Sequence, residues 1–177
     1  MPQIESIRAA AENEGLLEFR AAETAAEVEA LWQTRKALSP TLRKIAPKKI
    51  NEDVVVPVTE LPALISGIDE LSSRYQLPIV NFGHAGNGNI HVNLLYDPAK
   101  PGETEKAHHC LDEMFSLVLR LRGTLSGEHG VGIEKRDYVD RELDTTSLRL
   151  MNDIKRQFDP KGLLNWVKAL PLKEGET

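Results

Sequence analysis

Two glycine-rich stretches hold the residues whose types could do chemistry. Residues 81–93 read NFGHAGNGNIHVN, which sets His84 and His91 seven positions apart with glycines and asparagines between them. Residues 123–135 read GTLSGEHGVGIEK, which puts Glu128 next to His129. Two imidazoles and a carboxylate are a common three-ligand set for a divalent transition metal, and they leave coordination positions for water or substrate. His129 would then be free to move protons. The glycines allow two readings. Asn87-Gly88 between alternating apolar runs is a strong hairpin signal, because glycine and asparagine accept the positive φ of a tight primed turn. Missing side chains also let a planar or anionic ligand approach the backbone. From spacing alone, His84 and His91 are more often hydrogen-bonded turn histidines than ligands, and Glu128 and His129 more often ordinary loop residues. A regular strand would put His84 on the face of Val80 and Phe82, so a metal site is expected to need a break at Gly83.

Helices and strands must bring these stretches together. Residues 1–15 have mixed helical character, and the following LLEFR run reads as a short strand. Residues 22–38 read as a helix with Ala25, Val28, Trp32 and Arg35 on one stripe, so Arg35 points where the apolar side chains point. Residues 39–51 carry Pro40, Pro47 and several basic residues, a loop signature. A β-branched strand from Asp53 is stopped by Pro57. The clearest amphipathic helix spans residues 60–75, with Leu61, Leu64, Ile65, Ile68, Leu71 and Tyr75 on one face, Thr59 as N-cap and Pro62 in the first turn. Strands are expected over 77–82 and 90–96. In the second, Ile90, Val92 and Leu94 alternate with His91 and Asn93. A helix over 103–122 carries an apolar stripe through Cys110, Met114, Phe115 and Val118. A last helix starts at Asp144 or Thr145, turns Leu148, Met151, Ile154 and Phe158 inward, and stops at Asp159-Pro160. Few short strands, one hairpin and covering helices predict an α+β fold with an antiparallel or mixed sheet.

Composition narrows the function. The 177 residues suit one folding unit, and a net charge of −5 with no basic run argues against nucleic-acid binding. No apolar run approaches the roughly 18 to 20 residues of a membrane span, and residues 1–17 lack a signal-peptide pattern, so a cytoplasmic location is the default. The single cysteine, Cys110, reads as a small core residue. The polar tail over 170–177 is expected to fray.

Three motifs in order, NFGHAGNGNIHVNLLYDP, GTLSGEHGVGIEKRDYV and IKRQFDPKGLLN, with LWQTRKAL and KKINEDVVVP upstream, resemble the C-terminal half of FAD-linked oxidases related to vanillyl-alcohol oxidase, in the D-lactate and glycolate dehydrogenase branch. The resemblance covers about residues 20–168. It implies a substrate-cap domain with a ferredoxin-like antiparallel sheet covered by helices, plus a C-terminal helical segment contacting the flavin. His84, His91 and Glu128 correspond to metal ligands in members holding zinc, iron or manganese. His129 corresponds to the base that removes the hydroxyl proton of a 2-hydroxy acid. Arg35 corresponds to the carboxylate clamp, a bidentate task suited to a guanidinium. Ser39, Lys49 and Asn93 are candidates for the same pocket. Asn165 resembles a flavin-contacting asparagine, and Gly86 and Gly88 fall among the cofactor-approach glycines. Two departures stand out: Asn87 replaces the usual aspartate, and Asn165-Trp166-Val167-Lys168 replaces Asn-Pro-Gly-Lys.

The FAD-binding domain of that family is not recognisable in this sequence. The expectation is therefore a C-terminal half that oxidises a small D-2-hydroxy acid together with an FAD-binding domain or subunit, binds FAD weakly alone, and meets membranes only through an electron-acceptor partner. A homo-oligomer is a further partner expectation. Two alternatives stay open: a noncatalytic cap subunit or relic that binds a flavoprotein, and a metal-dependent hydrolase using the same His, His, Glu set. Each site residue also has an ordinary reading. Arg35 could be an ion-paired helix residue, Asn93 a strand residue facing water, and Asn165 a helix C-cap.

Overall fold

The computed structural model describes residues 2–165 and 168–171. The chain, expected to fold as one unit, packs as two compact units, Met1–Arg43 and Lys44–Thr177.

The first unit holds α1 (Pro2–Ala11) and α2 (Ala25–Thr41). The start of α2 is fixed by a capping box: Thr24 Oγ1 accepts from the Glu27 amide, and the Glu27 carboxylate accepts from the Thr24 amide. The helix runs through Pro40 instead of stopping before it. Its last turn closes with Thr41 Oγ1 donating to the Ala37 carbonyl. LLEFR is not a strand: residues 16–20 carry no regular structure and Leu17 is fully exposed, with no neighbouring strand to take its backbone hydrogen bonds. The α2 stripe also departs from expectation. No residue of α2 is buried, and Val28 and Trp32 are exposed.

The second unit is built on β1 (Lys48–Val55), β2 (Ile79–His84) and β3 (Asn89–Tyr96), in the order β1-β3-β2 with both pairings antiparallel. Helix α3 (Leu61–Tyr75) joins β1 to β2, and α4 (Glu103–Arg120) follows β3. This βαββα order, with β3 central, is the ferredoxin-like plan up to its fourth strand. At the place where that strand would lie, along the outer edge of β1, a single antiparallel bridge joins Val55 to Thr124. Two short helices follow, α5 (Val139–Glu142) and α6 (Thr145–Phe158), the latter capped by Asp144 accepting from the Thr146 and Ser147 amides.

The sheet has two unlike faces because strand side chains alternate with period two. One face contributes Val54, Ile90, Val92 and Leu94 to a core closed by Leu64, Ile68 and Leu71 of α3 and by Cys110, Met114, Phe115 and Val118 of α4. The other face carries Lys49, Asn51 and Asp53 of β1, Asn89, His91 and Asn93 of β3, and Val80, Phe82 and His84 of β2.

Several boundaries differ from the sequence reading for identifiable reasons. Strand β1 starts at Lys48, inside the expected loop, because Lys49, Asn51 and Asp53 alternate onto the polar face. Thr59 does not cap α3. It lies within a 3-10 turn, Val58–Glu60, and Glu60 takes the cap position without a side-chain bond. The hairpin connection is the 3-10 turn Ala85–Asn87 followed by Gly88 at φ 75°, so one left-handed residue replaces the two of a primed turn. In α6, Met151, Ile154 and Phe158 are exposed and no residue is buried, since α3 and α4 already close the core. The expected fraying tail falls mostly on residues 172–177, outside the described residues. Among the described residues, no helix is long and apolar enough to cross a membrane.

Candidate functional site

The register of the sheet gathers the histidines. His91 on β3 lies opposite Asp53 on β1 and Phe82 on β2, and His84 closes β2 opposite Asn89. Pairing stays regular through Gly83, so no break is needed: His84 shares a face with His91 because β2 keeps its parity. Gly83 is required for another reason, since a Cβ there would lie 2.3 Å from the Asn89 carbonyl oxygen. The His84 and His91 rings meet edge to face with centroids 5.5 Å apart.

The second glycine-rich stretch folds over the same face. Glu128 Oε1 comes within 3.3 Å of His91 Nε2, and His129 stacks on His91 with centroids 5.2 Å apart. One ligand atom each from His84, His91 and Glu128 lies within 4.8 Å of the others. These residues fit a divalent transition metal by the chemistry of the set, two imidazole nitrogens and one carboxylate oxygen. His91 is buried, which pushes its pKa below the ordinary value; Glu128 opposes this, while His129 and His84 add to it. A neutral imidazole is the form that ligates. Its buried Nδ1 has no hydrogen-bond partner among the described residues, nor do the Asn51 and Asn89 Oδ1 atoms of the same face. A further polar group at this face would satisfy them.

Two residues outside the sequence-derived set organise this turn. Asp53 is fully buried, and its Oδ2 accepts from the backbone N–H groups of Gly127 (2.8 Å), Glu128 and His129 (2.9 Å). Its Oδ1 accepts from Lys135 and lies 3.6 Å from His129 Nδ1. The buried Lys135 Nζ also donates to the Asp53 carbonyl (3.0 Å) and pairs with Glu52 (3.2 Å). Burial pushes the Asp53 carboxyl up, but the Lys135 hydrogen bond and the His129 and Glu128 amides outweigh it and hold the pKa at about 2. For Glu52, burial prevails over Lys135 and the pKa is raised. The sequence carried one faint signal, the period-two polar run Lys49, Asn51, Asp53, which continues into a β-branched strand where an unpaired aspartate is out of place.

The remaining candidates are distributed. Asn93 is fully buried and does not face water: its Nδ2 donates to the Val80 (3.1 Å) and His91 (3.3 Å) carbonyls, and its Oδ1 accepts from Lys49 Nζ at 3.4 Å. Lys49 and Asn93 thus sit on the histidine face. Arg35 and Ser39 lie on α2 in the first unit. Asn165 is not a helix C-cap, because α6 ends at Phe158 with Asp159 as its cap; it adopts φ 48°, and its carbonyl accepts from the Lys168 amide. Trp166 and Val167, the two positions that depart from the family pattern at that end, lie outside the described residues. The two hairpin glycines differ. Nothing lies within 4 Å of a Cβ built at Gly86, whereas at Gly88 the Val56 carbonyl oxygen would be 2.0 Å away, so the turn itself requires glycine there.

The family model described as FAD linked oxidases, C-terminal domain, matches residues 2–169. The glycolate oxidase subunit GlcD of Escherichia coli K12 is 34% identical over 157 residues, covering 89% of this chain and 32% of that protein. GlcD of Bacillus subtilis 168 is 32% identical over 162 residues, covering 92% and 34%. The D-2-hydroxyglutarate dehydrogenase of Stutzerimonas stutzeri A1501 is 33% identical over 144 residues, covering 78% and 30%. The chain spans about a third of the length of the curated relatives it matches.

Proposed function

The chain belongs to the family of FAD linked oxidases, C-terminal domain, and from that premise we propose that it is the substrate- and metal-binding half of an FAD-dependent dehydrogenase of small D-2-hydroxy acids, of the D-lactate or glycolate type. The observation that carries this reading is the meeting of His84 and His91 from one hairpin with Glu128 from a turn 37 residues further on, within 4.8 Å, with His129 stacked beside them.

When bound, FAD supplies the acceptor for the hydride leaving the hydroxyl-bearing carbon, and a divalent cation on His84, His91 and Glu128 supplies a Lewis acid beside the hydroxyl. His129 takes the hydroxyl proton at Nε2, since its Nδ1 faces the Asp53 carboxylate. Lys49 binds the substrate carboxylate, and the buried Asn93, whose Oδ1 accepts from Lys49 Nζ, positions it there. Arg35 and Ser39 take their carboxylate-binding role, and Asn165, Gly86 and Gly88 their flavin contacts, from the motif resemblance. The FAD-binding domain or subunit is the partner this function requires.

Reduction of an artificial dye by D-lactate or glycolate, in the presence of an FAD-binding domain or subunit, tests the proposal. Activity that requires added Zn2+, Mn2+ or Fe2+ and is lost in His129→Ala supports it. Activity unchanged in His129→Ala would leave a noncatalytic cap, and metal-dependent ester hydrolysis without flavin would favour a hydrolase.

A further inference from the structure

Asp53 has three features that a merely buried ion pair does not need. First, it accepts three consecutive backbone N–H groups, those of residues 127, 128 and 129, on one oxygen. Successive amides converging on an anion form a concave donor nest, and the anion dictates the backbone shape of the turn that holds it. Second, Asp53 stands directly opposite His91 in the sheet register, so a turn anchored on Asp53 is delivered beside the His91 ring. Third, its other oxygen lies 3.6 Å from His129 Nδ1 and binds Lys135, which also takes the Asp53 carbonyl. The turn is therefore clamped through its amides to one residue of a rigid strand and, several residues later, through Lys135 to that same residue.

We infer that Asp53, neutralised by Lys135, is the positioning residue of this site: it sets the direction of Glu128 and orients the imidazole of His129. The inference rests on the proposed role of His84, His91 and Glu128 as metal ligands. Only aspartate suits the position. Asparagine would place an amide N–H₂ against either the three backbone donors or the Lys135 ammonium, so one set would face a donor. Glutamate would push the turn outward by one methylene. Neither Asp53 nor Lys135 needs to touch substrate or metal.

The test uses the full chain with Co2+ as probe, read by its visible absorption, together with hydrogen exchange of the amides of residues 127–129. Wild type should show slow exchange at these three amides. Asp53→Asn should lose that protection, weaken Co2+ binding by about tenfold to hundredfold and change the Co2+ band shape. Glu52→Gln, which loses a partner of Lys135 but no contact to the turn, should keep both the protection and the spectrum. Asp53→Glu provides a second route if Asp53→Asn folds poorly: it keeps the charge for Lys135 but moves the turn by one methylene, so weaker Co2+ binding and a changed band shape are expected there too. Unchanged exchange at the three amides in Asp53→Asn, an unchanged Co2+ spectrum and affinity in that variant, or equal losses in Glu52→Gln would each overturn the inference. A wild-type chain that binds no Co2+ would instead refute the metal reading, and exchange at the three amides would then decide the positioning role alone.

Discussion

At the scale of single residues, the site has opposed electrostatic demands. Asp53 is held ionised and His91 is held neutral, and each has a distinct signature in acid. A carboxyl whose folded pKa is about 2, against an unfolded value near 3.9, stabilises the fold above about pH 4, and this contribution disappears as pH falls through about 2. Its size is roughly 2 kcal/mol, so urea unfolding of Asp53→Asn should lack that step between pH 4 and pH 2. His91 has the same sign for a different reason. Below about pH 6.5 the unfolded chain binds a proton that the folded chain resists, so stability falls as pH drops from that value. His91→Asn should flatten the pH 5–7 region of the same titration. Lys135→Met should be the most damaging change of this set, costing about 3–5 kcal/mol in chemical denaturation, because it leaves two buried carboxylates without their cation. The histidines and Glu128 were legible in the sequence because imidazole and carboxylate in two glycine-rich turns form an unusual composition. Asp53 was not, because its partners are backbone amides more than seventy residues away, and backbone donors leave no mark on residue type.

At the scale of elements, each turn works because glycine lets it approach something specific. A Cβ on Gly127 would sit 1.9 Å from Asn89 Nδ2 and 2.9 Å from Val55 Cγ2, so Gly127→Ala must displace the Asn89 side chain on the histidine face or lift the turn off the sheet. Zinc titration of that variant should show weakened binding, while thermal unfolding shifts little because the α3–α4 side of the sheet is untouched. Gly86→Ala, with open space around it, should fold and bind zinc as wild type does. The helices α3 and α4 and the pairing of β2 with β3 could be read from apolar periodicity, since both bury the stripe that the pattern displays. Periodicity failed for α2 and α6, whose apolar stripes stay exposed, and for the first half of β1, whose polar alternation lies on the histidine face and therefore looks like a loop.

At the scale of the whole molecule, the two units differ in how they are held. The second unit has a buried core spanning sheet and helices, whereas α2 in the first unit buries no side chain. Native-state hydrogen exchange should therefore find the slowest amides in β3 and α4, with α1 and α2 exchanging through local opening of much lower free energy. The single bridge between Val55 and Thr124 has a larger consequence. A full fourth strand along β1 would have claimed the outward carbonyl of Asp53 for a ladder, and the chain after Thr124 would have continued away from His91. By yielding all but one rung, the protein frees that sheet border to grip a bent segment instead. A corner carrying His91, Glu128 and His129 thus stands where ferredoxin-like architecture would otherwise finish its wall, and the corner can be reshaped over evolution without disturbing the interior that keeps the molecule folded.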